Sequence, residues 1–194
     1  YFGMTDTDFT IHPVYFSYMK FANEPPVLHY GYRQEDDRAL TYRGTWQTVK
    51  STAASLGSFR RSAKAGDSVE FAFKGTSLDL ISREGPDAGR LFVTIDGDSH
   101  NANFAKLDEK GRTYLDLYAD VSRWQVSIPI VNDLPDGVHR VTLTVAEDGR
   151  PVAIDGLVVQ TGATYLVRVV GLGLFFLVVL GLAGLAYRGR RGQG

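Results

Sequence analysis

The sequence predicts an all-β protein: a two-sheet sandwich of eight or nine strands, with a short N-terminal helix and one C-terminal transmembrane helix. Three observations carry that expectation. From Tyr42 onward, apolar and polar residues alternate in short runs, the period of a half-buried strand. Asp96-Gly97, Asp136-Gly137 and Asp148-Gly149 punctuate these runs and supply left-handed backbone at little steric cost. Val169 to Ala186 form a stretch of 18 residues without a charge, about 27 Å of helix against a hydrocarbon core of roughly 30 Å.

Taken in chain order, residues 1–40 predict a helix and a linker. Pro13 suits the first turn of a helix carrying Tyr15, Phe16, Tyr18, Met19 and Phe21, and Pro25-Pro26 stop it. That much apolar surface on one short helix requires something to pack against. Gly31 to Arg38, centred on Gln34-Glu35-Asp36-Asp37-Arg38, reads as a charged linker. The chain starts at Tyr1 with neither an initiator methionine nor a signal peptide, the expected look of a processed or partial product.

Residues 41–162 predict the sandwich. Val69, Phe71 and Phe73 alternate, then Leu78 and Leu80, Leu91, Val93 and Ile95, Trp124, Val126, Ile128 and Ile130, and Val141, Leu143 and Val145. Ile154, Leu157, Val158 and Val159 close the set.

Residues 163–187 predict the membrane helix and 188–194 a basic tail. Tyr165 and Tyr187 bracket the apolar run, Phe175 and Phe176 lie within it, and Arg168 can snorkel outward. Arg188, Arg190 and Arg191 should hold the tail on the cytoplasmic side, making this a single-pass protein of the cell membrane with an extracytoplasmic body. A processed C-terminal sorting signal and a buried core helix are the competing explanations of the same run.

Charge and composition exclude several classes. The formal net charge is −1, but residues 1–164 hold 17 basic and 22 acidic residues, a net of −5. An acidic body disfavours nucleic acid and anionic lipid surfaces. Zero cysteines exclude disulfides, cysteine-ligated zinc, iron–sulfur clusters and attached c-type haem. His12, His29, His100 and His139 show no metal-ligand spacing. Asp96, Asp98 and Asn101 fail the EF-hand pattern. Asp6/Asp8, Glu35/Asp36/Asp37, Asp96/Asp98 and Asp108/Glu109 are local acidic pairs in loops and turns, which do not supply the separated carboxylates of a glycosidase. No Gly-x-Ser-x-Gly elbow or phosphate-binding glycine loop is present. The expectation is a protein that is not an enzyme and carries no cofactor.

Two stretches resemble known families. Tyr42-Arg43-Gly44-Thr45-Trp46, Gly66-Asp67-Ser68-Val69-Glu70-Phe71, Glu84-Gly85-Pro86-Asp87-Ala88-Gly89-Arg90, Val93-Thr94-Ile95-Asp96-Gly97, Leu134 to Leu143 and Ile154-Asp155-Gly156-Leu157-Val158-Val159 are similar to turns and strands of bacterial carbohydrate-binding-module-like jelly rolls. The resemblance covers about residues 42–160 and implies a jelly-roll sandwich. Some jelly rolls carry structural calcium at irregular sites, so it leaves calcium open without assigning residues to it. Tyr1-Phe2-Gly3-Met4-Thr5-Asp6-Thr7-Asp8-Phe9-Thr10, then Pro13-Val14-Tyr15, resemble the end of a (β/α)8 glycoside hydrolase barrel, implying a barrel remnant ahead of the sandwich.

Sugar binding needs aromatic faces together with charged or amide groups that grip hydroxyls. Trp46 and Trp124, with Tyr114 and Tyr118, supply the first, and Arg83, Glu84, Asp87 and Arg90 the second. Both tryptophans lie in strand patterns, where a core role competes with a binding one. The leading expectation is a non-catalytic, membrane-anchored, carbohydrate-binding-like module that holds a surface protein or a glycan. The alternative is an accessory subunit of a membrane complex, for example an electron-transfer complex, that contributes contacts alone. Its partners would be the lipid bilayer and a membrane protein met through the transmembrane and N-terminal helices.

Overall fold

The computed structural model describes residues 11–103 and 105–162. The expected membrane segment and tail, with Tyr165, Arg168, Phe175, Phe176, Tyr187, Arg188, Arg190 and Arg191, lie outside the described residues, as does the stretch Tyr1–Thr10 that resembles a barrel end. Among the described residues, no helix is long and apolar enough to cross a membrane.

Helix α1 (Pro13–Asn23) starts at Pro13 and gives way to extended backbone at Glu24, before the proline pair. Thirteen strands follow among the described residues. The first half holds β1 (Gly31–Gln34), β2 (Thr41–Arg43), β3 (Gln47–Lys50), β4 (Ser58–Ser62), β5 (Ser68–Gly75) and β6 (Ser77–Glu84). Then come β7 (Arg90–Ile95), β8 (Lys106–Leu107), β9 (Thr113–Asp116) and β10 (Arg123–Val131). The chain closes with β11 (Gly137–Val145), β12 (Val152–Ile154) and β13 (Gly156–Gln160).

The strands form a six-stranded sheet, β2-β5-β11-β7-β9-β8, a four-stranded sheet, β1-β13-β6-β10, and a small sheet, β12-β4-β3. Every strand pairing is antiparallel. The core is filled from both large sheets: Phe71, Phe73, Leu91, Ile95 and Leu143 from one, Leu78, Leu80, Ile130, Leu157 and Val159 from the other. Each such side chain contributes about 1.5–3 kcal/mol by leaving water. The alternating positions read from the sequence in β5, β6, β7 and β11 are all buried.

Four expectations change. The strand count exceeds eight or nine because β1, β2, β3, β8 and β12 have only two to four residues, too few for alternation to register. The presumed linker is part of the sandwich: β1 pairs with β13 from Gly31↔Val159 to Gln34↔Gly156. Just before it, the Leu28 amide donates to Ala72 O at 2.8 Å and the Lys74 amide to Leu28 O at 2.8 Å. The closing strand is two strands, because the chain changes sheets at Asp155, where β12 pairs with β4 and β13 with β6. Finally, Asp96-Gly97 and Gly149 adopt positive φ as expected, but near Asp136-Gly137 it is Asp133 that turns the chain, at φ 60°. Gly137 lies in β11, paired with Gly75.

Val14, Phe16, Tyr18 and Met19, spread around α1, are all exposed.

Candidate functional site

The site is built around the loop 85–89 that joins β6 to β7. Arg83, near the end of β6, reaches over this loop and holds Asp87 with two hydrogen bonds, of 2.6 and 3.2 Å, while also donating to Ser122 Oγ at 3.0 Å. Gly85 makes room for this: a Cβ there would stand 3.0 Å from the guanidinium and 2.9 Å from Ser122 Oγ. Gly89 makes room on the other side, where a Cβ would lie 2.7 Å from Arg150 O. Its amide donates to Pro151 O at 2.9 Å. Neither glycine adopts positive φ; close approach to backbone requires Gly89, whereas the neighbours of Gly85 are side-chain ends that can give way.

Trp124 is brought to this loop by an irregularity in β10. The register against β6 shifts between Arg123 and Val126, Gln125 adopts φ 55°, and its side-chain amide donates to Ala53 O at 3.0 Å. Such a bulge re-aims a neighbouring side chain. Trp124 therefore leaves the main core and packs with Ala54, Phe59 and Ala153. Its ring meets Phe59 edge-on at 5.1 Å, and the Arg83 guanidinium lies 5.8 Å from its centre. The result is a cleft of about 260 Å³ whose lining includes Val49, Phe59, Arg61, Arg83, Trp124 and Pro151.

A second cleft, of about 510 Å³, lies across the same loop. It is lined by Arg90, Asp116, Tyr118, Asp148 and Arg150, and it shares Ala88 with the first. Arg90 stacks over Tyr114 at 4.9 Å, and Arg150 lies 5.9 Å from the centre of the Tyr118 ring. Asp116 is bound by Lys106 at 3.1 Å and approached by Arg90 at 4.0 Å.

Of the residues singled out from sequence, Arg83 and Trp124 meet in the first cleft, Asp87 is bonded to Arg83 beside it, and Arg90 lies in the second. Glu84 sits opposite Arg123 across β6 and β10 and bonds to it, flanking the cleft. Trp46 is elsewhere. Its indole donates to Ser68 O at 3.1 Å and its ring packs on Tyr42 and the main core, so its role is structural. Tyr118 belongs to the second cleft, and Tyr114 serves as a platform for Arg90. Sequence reasoning missed Phe59, Arg61 and Arg150. The only cue to the first two was an aromatic residue beside a pair of arginines in an otherwise polar run, and nothing local ties that run to Trp124.

The hydrogen bonds from Arg83 hold the Asp87 carboxyl below the ordinary aspartate range against the opposing pull of desolvation, so it stays ionised and fixed at neutral pH.

A different pair of carboxylates could hold a metal. Glu35 and Asp155 are both fully buried. Glu35 accepts from Ser58 Oγ at 2.7 Å through one oxygen, while its other oxygen has no hydrogen-bond partner. Asp155 accepts from the Ser55 amide at 3.0 Å, and its pKa is raised by burial and by the charge of Glu35, against the pull of that amide. An unsatisfied buried carboxylate oxygen within the field of a second buried carboxylate fits a hard cation such as calcium, which takes oxygen ligands. Among the described residues, no group of three or more His, Cys, Asp or Glu side chains converges on one point, so carbonyl oxygens or water would complete such a shell.

No family model matches the chain, and no curated protein matches it. Solved structures do. A two-domain esterase active on acetylated mannans, co-crystallised with mannopentaose, matches with TM-score 0.50 and 16% identity over 67% of this chain and 36% of its own. A family two carbohydrate esterase from Cellvibrio japonicus matches with TM-score 0.44 and 16% identity over 65% of this chain and 32% of its own. The CBM36-1 domain of a multidomain xylanase from the hindgut metagenome of Trinervitermes trinervoides matches with TM-score 0.41 and 17% identity over 65% of this chain and 92% of its own. The chain thus spans about a third of the length of the esterases it matches. At this identity the likeness to the mannan esterase is one of fold: an antiparallel, all-β sandwich.

Proposed function

We propose that the sandwich is a non-catalytic carbohydrate-binding module, held at a cell surface by the apolar segment that follows it. The carrying observation is Trp124, half-exposed in a cleft whose rim is fixed by the Arg83–Asp87 pair. An aromatic wall beside rigid polar groups is the ordinary chemistry of sugar recognition, in which the ring stacks and the polar groups orient it. The likeness of fold to an esterase active on acetylated mannans agrees with this reading. Affinity electrophoresis of the full chain in detergent, in gels containing soluble glycans, tests it. Retardation abolished by Trp124→Ala but kept in Trp46→Phe supports the site, and retardation that ignores Trp124 removes it.

The exposed apolar residues of α1 favour a second reading, an accessory subunit that docks on a membrane complex through this helix. Purification in mild detergent decides it. A stoichiometric partner lost on Phe16→Asp supports docking, and a lone monomer opposes it.

A further inference from the structure

We infer that the two clefts together take an acidic polysaccharide, whose negative groups, carboxylate or sulfate, are read by Arg61 and Arg150. This rests on the carbohydrate-binding reading above and specifies its ligand. The clefts meet at Ala88 and are crossed by the adjacent residues Arg150 and Pro151, so one chain of sugar rings can lie along both. Their walls differ. The first is aromatic and aliphatic, through Trp124, Phe59, Val49 and Pro151, and suits a ring face. The second is lined by charged groups and Tyr118.

The arginines also divide into two kinds. Arg83 and Arg90 are committed within the protein, to Asp87 and to Asp116 and Tyr114. Arg61 and Arg150 are exposed, and among the described residues neither guanidinium is in an ion pair. Arg61 acts on Asp87 only through its field, and Arg150 only leans on Tyr118. Each thus offers a free planar fork of donors, the geometry that matches a carboxylate or a sulfate with two parallel bonds. With Arg83 paired to Asp87 and Arg90 facing Asp116, the joint lining leaves Arg61 and Arg150 against Asp148, on a body whose net charge is −5. At physiological salt, charges farther than about 8 Å are largely screened, so a ligand in the clefts meets the local positive excess rather than the acidic whole.

The test is affinity electrophoresis of the full chain in detergent against four polymers: polygalacturonate, its fully methyl-esterified form, dextran sulfate and dextran. Expected is retardation by at least one of the two anionic polymers, with methyl-esterified polygalacturonate and dextran retarding far less. Arg61→Gln and Arg150→Gln should each weaken binding about tenfold, and Arg38→Gln, an exposed arginine outside both clefts, should leave it unchanged. Retardation by polygalacturonate alone assigns the carboxylate, and by dextran sulfate alone the sulfate. Equal retardation by the esterified and free polymers, lost in Trp124→Ala, overturns the acidic ligand and keeps the carbohydrate site. Weakening by Arg38→Gln as large as by Arg61→Gln means diffuse charge attraction and overturns the inference. No retardation by any glycan overturns both readings.

Discussion

Gly89→Ala tests the architecture of the site most directly. A methyl group there would stand 2.7 Å from the carbonyl oxygen of Arg150 and 3.0 Å from its Cβ, where ordinary contact begins near 3.4 Å. Relieving the overlap moves the loop and the Arg150–Pro151 backbone apart by roughly 0.7 Å, and overpacking of this kind costs about 1–3 kcal/mol. The bond from the Gly89 amide to Pro151 O, 2.9 Å long, stretches with it, adding about 0.5–1.5 kcal/mol. The expected loss is therefore about 1.5–4.5 kcal/mol, with weaker glycan binding because both clefts share the displaced loop. Urea denaturation read at constant m measures the stability and affinity electrophoresis the binding. Gly137→Ala is the control: its nearest neighbours are 3.9 Å away and its φ is ordinary, so it should change stability by less than about 0.5 kcal/mol. If Gly89→Ala proves as neutral as this control, the close approach does not hold the loop and the reasoning fails.

Three further outcomes are expected. His139 Nδ1 lies 2.7 Å from Asp96 and Nε2 2.8 Å from Pro135 O, so only the charged ring satisfies both. Burial alone would lower its pKa, but the Asp96 and Pro135 bonds outweigh burial and raise it. Its contribution, about 1–2 kcal/mol, is therefore full below an unfolded pKa of about 6.5 and fades as pH rises through the higher folded value. Urea titrations of wild type and His139→Gln should converge as pH rises above about 6.5, and a constant gap refutes the ring's charge. Asp67 accepts from the Thr45 amide and hydroxyl, both at 2.9 Å, and from Ser62 Oγ at 2.6 Å, bonds that overcome burial and depress its pKa. Asp67→Ala should cost about 2–4 kcal/mol at pH 7. That gap is fully present above an unfolded pKa of about 3.9, shrinks as pH falls through the lower folded value, and is read by acid titration of the two proteins. Calcium at a hundred times its dissociation constant should add about 2.7 kcal/mol, seen as a higher thermal midpoint that a chelator reverses and Asp155→Asn abolishes. Without calcium, the raised Asp155 pKa gives the opposite slope: its contribution is full below about pH 3.9 and lost as pH rises through the folded value. A midpoint indifferent to calcium assigns the pair to a proton instead.

How far the site was legible depended on the range of each interaction. The loop 85–89 and its arginines stand within eight residues of sequence, so Arg83, Asp87 and Arg90 could be picked out together. Trp46 and Trp124 have the same local signature, an aromatic in an alternating strand. They part only because Trp46 finds Ser68 O across β2 and β5 while a bulge at Gln125 turns Trp124 toward β4. Phe59 and Arg61 lie more than sixty residues from Trp124, and Glu35 is 120 residues from Asp155. No periodicity reports such distances.

By itself, the sequence determined the class of fold and the faces of its long strands, because alternation, turn residues and apolar burial act over a few residues and dominate the energy of a sandwich. It determined the absence of thiolate chemistry as well, and an acidic body followed by an uncharged apolar run. Only the tertiary structure decided that residues 28–40 belong to the sandwich, that the last strand divides at Asp155, and which tryptophan faces a cleft. Those outcomes turn on pairings between distant segments, where one hydrogen bond or one missing Cβ selects among arrangements that the local pattern leaves equal.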